Sequence, residues 1–118
     1  MVNEGARPMW VEAMSEIAAR YGLTTDGAHR PRPTRFILRG CAGIAGRGGS
    51  EETFPIDVTD VSIKGIGFLT RHAVLPGEQL TVAFESDPFG RSWTVKVIWA
   101  DEEDDDRTRV GTVIVPRA

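Results

Sequence analysis

The stretch WTVKVIW at residues 93–99 decides the fold class, because apolar and polar side chains alternate along it. Its large apolar positions, Trp93, Val95, Val97 and Trp99, share one face of a chain with a period of two. Two tryptophans on one strand face are more typical of a core than of a base-stacking platform, so we expect both to pack inside. The segment predicts a half-buried β-strand.

Further short segments of this kind lie on both sides of the strand, with turn signals such as Pro76-Gly77 between them. The candidate strands are residues 36–44, 54–62, 66–70, 80–86 and 110–115. Short strands at near-regular spacing are typical of a sandwich or barrel. At this chain length, a six-stranded antiparallel β-barrel closed on itself also removes exposed edges. We therefore predict a mostly β fold of this kind.

The N-terminal residues follow a different period. Trp10, Met14, Ile17 and Tyr21 recur at spacings of three or four, which places them on one face of a helix. The sequence predicts an N-terminal amphipathic α-helix within residues 1–23. Its apolar face either packs on the core of the protein or docks to a partner.

Residues 24–34 lose this period and contain Pro31 and Pro33. Proline fixes its own φ and pushes the preceding residue toward extended geometry. We expect an extended arm here, which joins the helix to a barrel domain at residues 35–118.

The charge of the chain is distributed unevenly. The net charge is −3, but residues 101–106 read DEEDDD, so the remainder sums to +3. Five arginines and no acidic residue lie between residues 30 and 50, namely Arg30, Arg32, Arg35, Arg39 and Arg47. Guanidinium groups match phosphates and guanine edges, so this cluster indicates either an anionic planar ligand or a solvated basic loop. The acidic run is expected at the tip of a hairpin, where it disfavours nucleic acid.

Several function classes find no support in the sequence. His29 and His72 are far apart and lack neighbours at metal-ligand spacing, so we expect no metal site. Ser62 and Cys41 have no nearby histidine in a nucleophile motif, so we do not expect an enzyme. A lone cysteine and the lack of any apolar run near the roughly 20 residues of a membrane span favour a cytoplasmic protein without membrane insertion.

Two short motifs carry the functional signal. Residues 60–65, DVSIKG, have the form D-x-S-x-x-G, and residues 35–39, RFILR, have the form R-x-x-x-R. This pair resembles the PilZ family, whose domains carry R-x-x-x-R followed by (D/N)-x-S-x-x-G. The resemblance covers roughly residues 30–115 and leaves the N-terminal helix outside it.

The resemblance implies a six-stranded barrel that binds cyclic di-GMP, has no cofactor and signals to a downstream effector protein. In such a site the arginines contact guanine edges and phosphates, Asp60 accepts hydrogen bonds from guanine N–H groups, and Ser62 bonds a base or a phosphate. Gly65 permits positive φ or close approach of the backbone to the ligand. The alternative is a PilZ-like adaptor that binds no nucleotide and acts through protein–protein contacts.

The arginine motif has two readings. In the family the second arginine tends to precede the first barrel strand, which suits Arg35, with Arg30 and Arg32 flanking the position of the first arginine. In the other reading the pair is Arg35 and Arg39, whose even separation places both side chains on one strand face. All four arginines remain candidate ligand-binding residues, together with Asp60, Ser62 and Gly65.

Overall fold

A computed structural model describes residues 6–26, 35–47, 51–104 and 106–115. It contains one helix and seven strands. These are α1 (Ala6–Tyr21), β1 (Gly22–Asp26), β2 (Arg35–Arg47), β3 (Thr53–Ser62), β4 (Ile66–Thr70), β5 (Gln79–Phe84), β6 (Ser92–Asp104) and β7 (Arg107–Ile114). The predicted N-terminal helix and antiparallel barrel are both confirmed.

Six of the strands close on themselves. The order is β2-β3-β4-β7-β6-β5, and β5 pairs with β2 to complete the ring. Every pairing is antiparallel. Strand β1 is an addition to the ring, because it pairs with the first half of β2, where Asp26 lies opposite Arg35. Closure satisfies the backbone groups that an open sheet would leave at its edges.

The barrel interior is filled by alternate side chains of all six strands. Along β5 the odd positions are exposed or half-buried while Leu80, Val82 and Phe84 are buried, which is the pattern expected for a strand with one face on a core. The largest fully buried side chains of the barrel are Phe54, Phe68, Ile66, Leu80 and several valines.

Helix α1 covers one open side of this core. Trp10, Ala13 and Met14 are buried, and Ile17 and Tyr21 are half-buried against the same cluster. The Trp10 ring stacks on Phe84 at a centroid distance of 6.1 Å. The apolar face of the helix therefore packs on the barrel itself, which was the first of the two expected arrangements.

Three irregularities interrupt the ladders at one level of the barrel. The register shifts between Ile37 and Cys41 in β2, between Val58 and Asp60 in β3, and between Val97 and Trp99 in β6. In β3 and β6 the shift is one extra residue, which reverses the face on which the next side chain lies. These shifts decide which side chains leave the core and face outward.

Residues 24–26 of the expected arm lie in β1, and residues 27–34, with Arg30 and Arg32, fall outside the described residues. Within the described part of the chain, no helix has the length and apolar character needed to cross a membrane.

Candidate functional site

The D-x-S-x-x-G segment forms a tight turn between β3 and β4. The Ser62 amide donates to the Gly65 carbonyl at 3.0 Å. The Ser62 hydroxyl oxygen accepts hydrogen bonds from the amides of Lys64 and Gly65, at 3.2 and 3.3 Å. Ser62 thus organises the turn with its backbone and its side-chain oxygen, while its O–H hydrogen has no acceptor among the described residues.

Strand β7 also holds this turn in place through hydrogen bonds. The Ile114 amide donates to the Lys64 carbonyl at 2.8 Å, and the Thr112 hydroxyl donates to the Ile66 carbonyl at 2.7 Å. A Cβ at Gly65 would overlap the Thr112 carbonyl, so only glycine fits here. The φ of Gly65 is not positive. The structure therefore explains this glycine by contact with β7, a reason that differs from the two expected from the sequence.

Arg35, Asp60, Ser62 and Gly65 all line one open cavity on the outer face of the barrel. Its volume of about 430 Å³ lies within the range of about 300–1,000 Å³ that is typical of small-molecule sites. The wall also includes Lys64, Ile98, Trp99, Arg109 and glycines of β4 and β7.

The floor of the cavity follows a single row of register partners. Across β3, β4, β7 and β6 the row reads Asp60, Gly67, Gly111 and Trp99. The two central members carry no side chain, so other groups can lie directly against the backbone there. The Asp60 carboxylate and the Trp99 indole occupy this space.

Asp60 lies over the first of the two glycines. A Cβ on Gly67 would come within 2.6 Å of Oδ2 of Asp60, so the carboxylate occupies the space that a side chain would need. The Thr59 hydroxyl donates to the same oxygen at 3.1 Å. The register shift after Val58 turns Asp60 outward, since continued alternation from Phe54 would have aimed it at the core.

Trp99 lies over the second glycine, and the expectation that it packs in the core is wrong. Trp93 is 6% exposed, whereas Trp99 is 43% exposed. The extra residue Ile98 reverses the alternation between them, so the two tryptophans lie on opposite faces of β6. Trp99 is thus a site residue that sequence analysis missed, because a bulge is not visible in a period-two pattern.

Arg109 adds a fixed cation to the wall. Its Nε donates to Oε1 of Glu103 at 2.7 Å, across the β6–β7 hairpin. The hydrogen bond with Glu103 raises the pKa of the Arg109 guanidinium, and the charge of Asp60 adds to this effect. Part of the DEEDDD run therefore holds a cation in place. Asp101, Glu102, Glu103 and Asp106 are exposed near the end of this hairpin, close to the expected position of the run.

The arginine cluster of the sequence separates in the structure. Arg35 lines the cavity, while Arg39, also exposed, does not. Among the described residues, neither arginine has an ion-pair partner. Arg47 lies elsewhere, where it pairs with Glu78 and donates to the Ala73 carbonyl at 2.6 Å. Arg30 and Arg32 fall outside the described residues.

No protein-family model and no curated protein matches the chain. Solved structures do match it, among them the PilZ domain of YcgR from Escherichia coli in complex with c-di-GMP. That structure aligns with a TM-score of 0.59 over 74% of this chain and 79% of that one, at 16% sequence identity. At this identity the likeness is one of fold, and the chain has a PilZ-like fold as its motifs predicted.

Proposed function

We propose that this PilZ-like domain is a cyclic di-GMP sensor, which holds the nucleotide in the cavity beside the Asp60–Gly65 turn. One observation carries the proposal: Arg35, Asp60, Ser62 and Gly65, chosen from two separate sequence motifs, line the same cavity. The complex of the YcgR domain with c-di-GMP supports the same ligand on the same fold.

The charge of the cavity favours an anionic ligand. Arg35, Lys64 and Arg109 line it together with a single carboxylate, that of Asp60. Because Glu103 pairs with Arg109, the cations Arg35 and Lys64 against Asp60 leave an excess of one positive charge, although the whole chain carries a net charge of −3. A concave site of one sign concentrates ligands of the opposite sign. Arg35 and Lys64 are the cations that contact the phosphates, with Arg30 and Arg32 of the arm added from upstream.

The carboxylate of Asp60 recognises the base. Guanine presents N–H donors on the edge that carries its exocyclic amino group, and an ionised carboxylate is an acceptor with two oxygens. The Thr59 hydroxyl donates to one carboxylate oxygen of Asp60, and the other oxygen has no hydrogen-bond donor among the described residues. Ser62 acts beside it, because its hydroxyl hydrogen is available to a phosphate oxygen or a base acceptor.

Trp99 supplies a stacking surface for the same base. Its ring covers Gly111, lines the cavity and is 43% exposed, so a purine in the cavity can stack on the exposed part of the indole. Stacking of a base on an aromatic side chain contributes about 1–3 kcal/mol. The site then combines stacking, a carboxylate for the base edge and cations for the phosphates.

In the cell, the domain acts in cytoplasmic signalling and transmits the bound state to an effector protein, without catalysis of its own. The buried free thiol of Cys41 suits a reducing compartment.

A calorimetric titration with cyclic di-GMP tests the proposal, with Asp60→Asn as the site variant. Asp57→Asn is the matched control, since Asp57 is exposed on the same strand and does not line the cavity. We expect saturable heat for the unmodified protein and for Asp57→Asn, and affinity weakened about tenfold or more for Asp60→Asn, as for a charged hydrogen bond. No heat at high ligand excess with the unmodified protein would favour the nucleotide-free adaptor.

A further inference from the structure

The N-terminal helix directly contacts the turn at residues 60–65, which we call the candidate ligand turn, through one side chain. The indole Nε1 of Trp10 donates a hydrogen bond to the Ser62 carbonyl at 2.8 Å. The Trp10 ring is 0% exposed and packs edge-on against Trp93 at a centroid distance of 5.2 Å. Helix α1 lies outside the closed ring of strands, but one of its side chains is hydrogen-bonded to Ser62, the residue that organises the candidate site.

Every backbone polar group of Ser62 is committed. Its amide donates to the Gly65 carbonyl, and its own carbonyl accepts from Trp10. The hydroxyl oxygen meanwhile accepts from two turn amides. Of the two peptide planes that flank Ser62, the one before it is therefore held by the turn, and the one after it is held by the helix. Removal of the Trp10 bond frees the peptide between Ser62 and Ile63 to rotate, which loosens the backbone that positions the Ser62 hydroxyl in the turn.

The chain that follows the helix reaches the opposite side of the same site. Strand β1 begins at Gly22, directly after the last residue of α1, and pairs Asp26 with Arg35. Arg35 in turn pairs with Ser62 across β2 and β3. The helix and β1 are continuous, and they contact the two neighbouring residues on which the proposed nucleotide site rests.

We propose that Trp10 is a positioning residue for the ligand turn, so that docking of helix α1 and binding of the nucleotide are energetically coupled. This inference rests on the proposed function. Coupling between two equilibria is reciprocal. If the docked helix holds Ser62 in its binding geometry, the bound nucleotide stabilises the docked helix by the same factor.

The test compares Trp10→Phe with Trp93→Phe. Both changes keep a buried aromatic ring in the same cluster and remove one indole N–H. Only Trp10 uses that group on the turn, because Nε1 of Trp93 has no hydrogen-bond partner in the described part of the chain. Loss of packing is matched between the variants, and loss of the bond to Ser62 is specific to the first.

We expect Trp10→Phe to weaken cyclic di-GMP binding about three- to tenfold by calorimetry, as for one hydrogen bond, with Trp93→Phe nearly unchanged. Amide hydrogen exchange adds a second measurement, because a loss of packing alone would not change the effect of ligand on the exchange rate of α1. Ligand should slow amide exchange along α1 in the unmodified protein and in Trp93→Phe, and the effect should shrink in Trp10→Phe.

Equal affinities for the two variants, or no ligand effect on exchange in α1 of the unmodified protein, would overturn the coupling while leaving the sensor function intact. If Trp10→Phe fails to fold, the exchange measurement on the unmodified protein still decides. An unmodified protein that does not bind the nucleotide would remove both proposals.

Discussion

The indole of Trp99 lies over the bare α-carbon of Gly111, its register partner on β7, and leaves no space there for a side chain. This contact fixes the position of a half-exposed ring that would otherwise be free to change rotamer. A ring held in advance loses less entropy when a ligand stacks on it.

We expect Gly111→Ala to weaken nucleotide binding by up to about 1–3 kcal/mol, the contribution of one stacked base. The new Cβ would overlap the Trp99 ring, which must move away from the floor of the cavity. Gly46→Ala is the control, because its Cβ would find its nearest neighbour, Cγ2 of Thr53, at 3.5 Å. Titration calorimetry of both variants checks the difference. Equal affinities would show that the Trp99 ring does not contact the ligand.

The two arginines of β2 should differ in their effect on binding. Arg35→Ala should cost about 1.5–3 kcal/mol of binding free energy, as for a charge-assisted hydrogen bond, because Arg35 lines the cavity. Arg39→Ala should be nearly neutral, and Arg30→Ala or Arg32→Ala should weaken binding. Equal losses for Arg35→Ala and Arg39→Ala would instead support the R-x-x-x-R pair on the strand. Calorimetric dissociation constants of the four variants decide between the two readings.

Trp10→Ala should lower the free energy of unfolding by about 3–5 kcal/mol, since a fully buried tryptophan is replaced by a cavity. The neighbouring Met9 is half-exposed, so Met9→Ala should stay within about 0.5 kcal/mol. Chemical denaturation of both variants measures the difference. A small loss for Trp10→Ala would mean that the barrel core closes without the helix.

Cys41 should make the stability fall at alkaline pH. Burial, with a smaller contribution from the charge of Asp57, raises the pKa of its thiol from 9.0 to about 11. Between these values the unfolded chain releases the proton and the folded chain retains it, so rising pH favours unfolding. Relative to Cys41→Ala, we expect the native protein to lose up to about 2–3 kcal/mol between pH 9 and 11. A pH-independent difference in unfolding free energy would contradict this prediction.

The six barrel strands, the helix and the turn at residues 60–65 could be predicted from local patterns, because alternation and motif spacing are properties of neighbouring residues. The outward aim of Asp60 and Trp99 could not be obtained in the same way. Period-two alternation from Phe54 and from Trp93 sends both side chains inward, and one extra residue in each strand reverses this. Such bulges depend on the partner strand, and so does the approach of Arg109, whose position follows from the β6–β7 pairing.

Strand β1 was missed for a related reason. Gly22–Asp26 has little apolar alternation of its own, and it is extended because the first half of β2 offers it a free edge. A period-two sequence pattern reveals a strand that buries side chains, whereas β1 forms through backbone hydrogen bonds to the neighbouring strand β2.

The placement of the three tryptophans gives the domain two separate optical signals. Trp10 and Trp93 form a rigid, buried, edge-on pair, while Trp99 is exposed at the cavity. The buried pair is a coupled chromophore whose near-ultraviolet circular dichroism reports whether the helix is seated. Emission from Trp99 comes from a polar environment and responds to a base placed against it. For a single unlabelled sample, we therefore expect circular dichroism to report the seating of the helix and a change in fluorescence to report occupancy of the site.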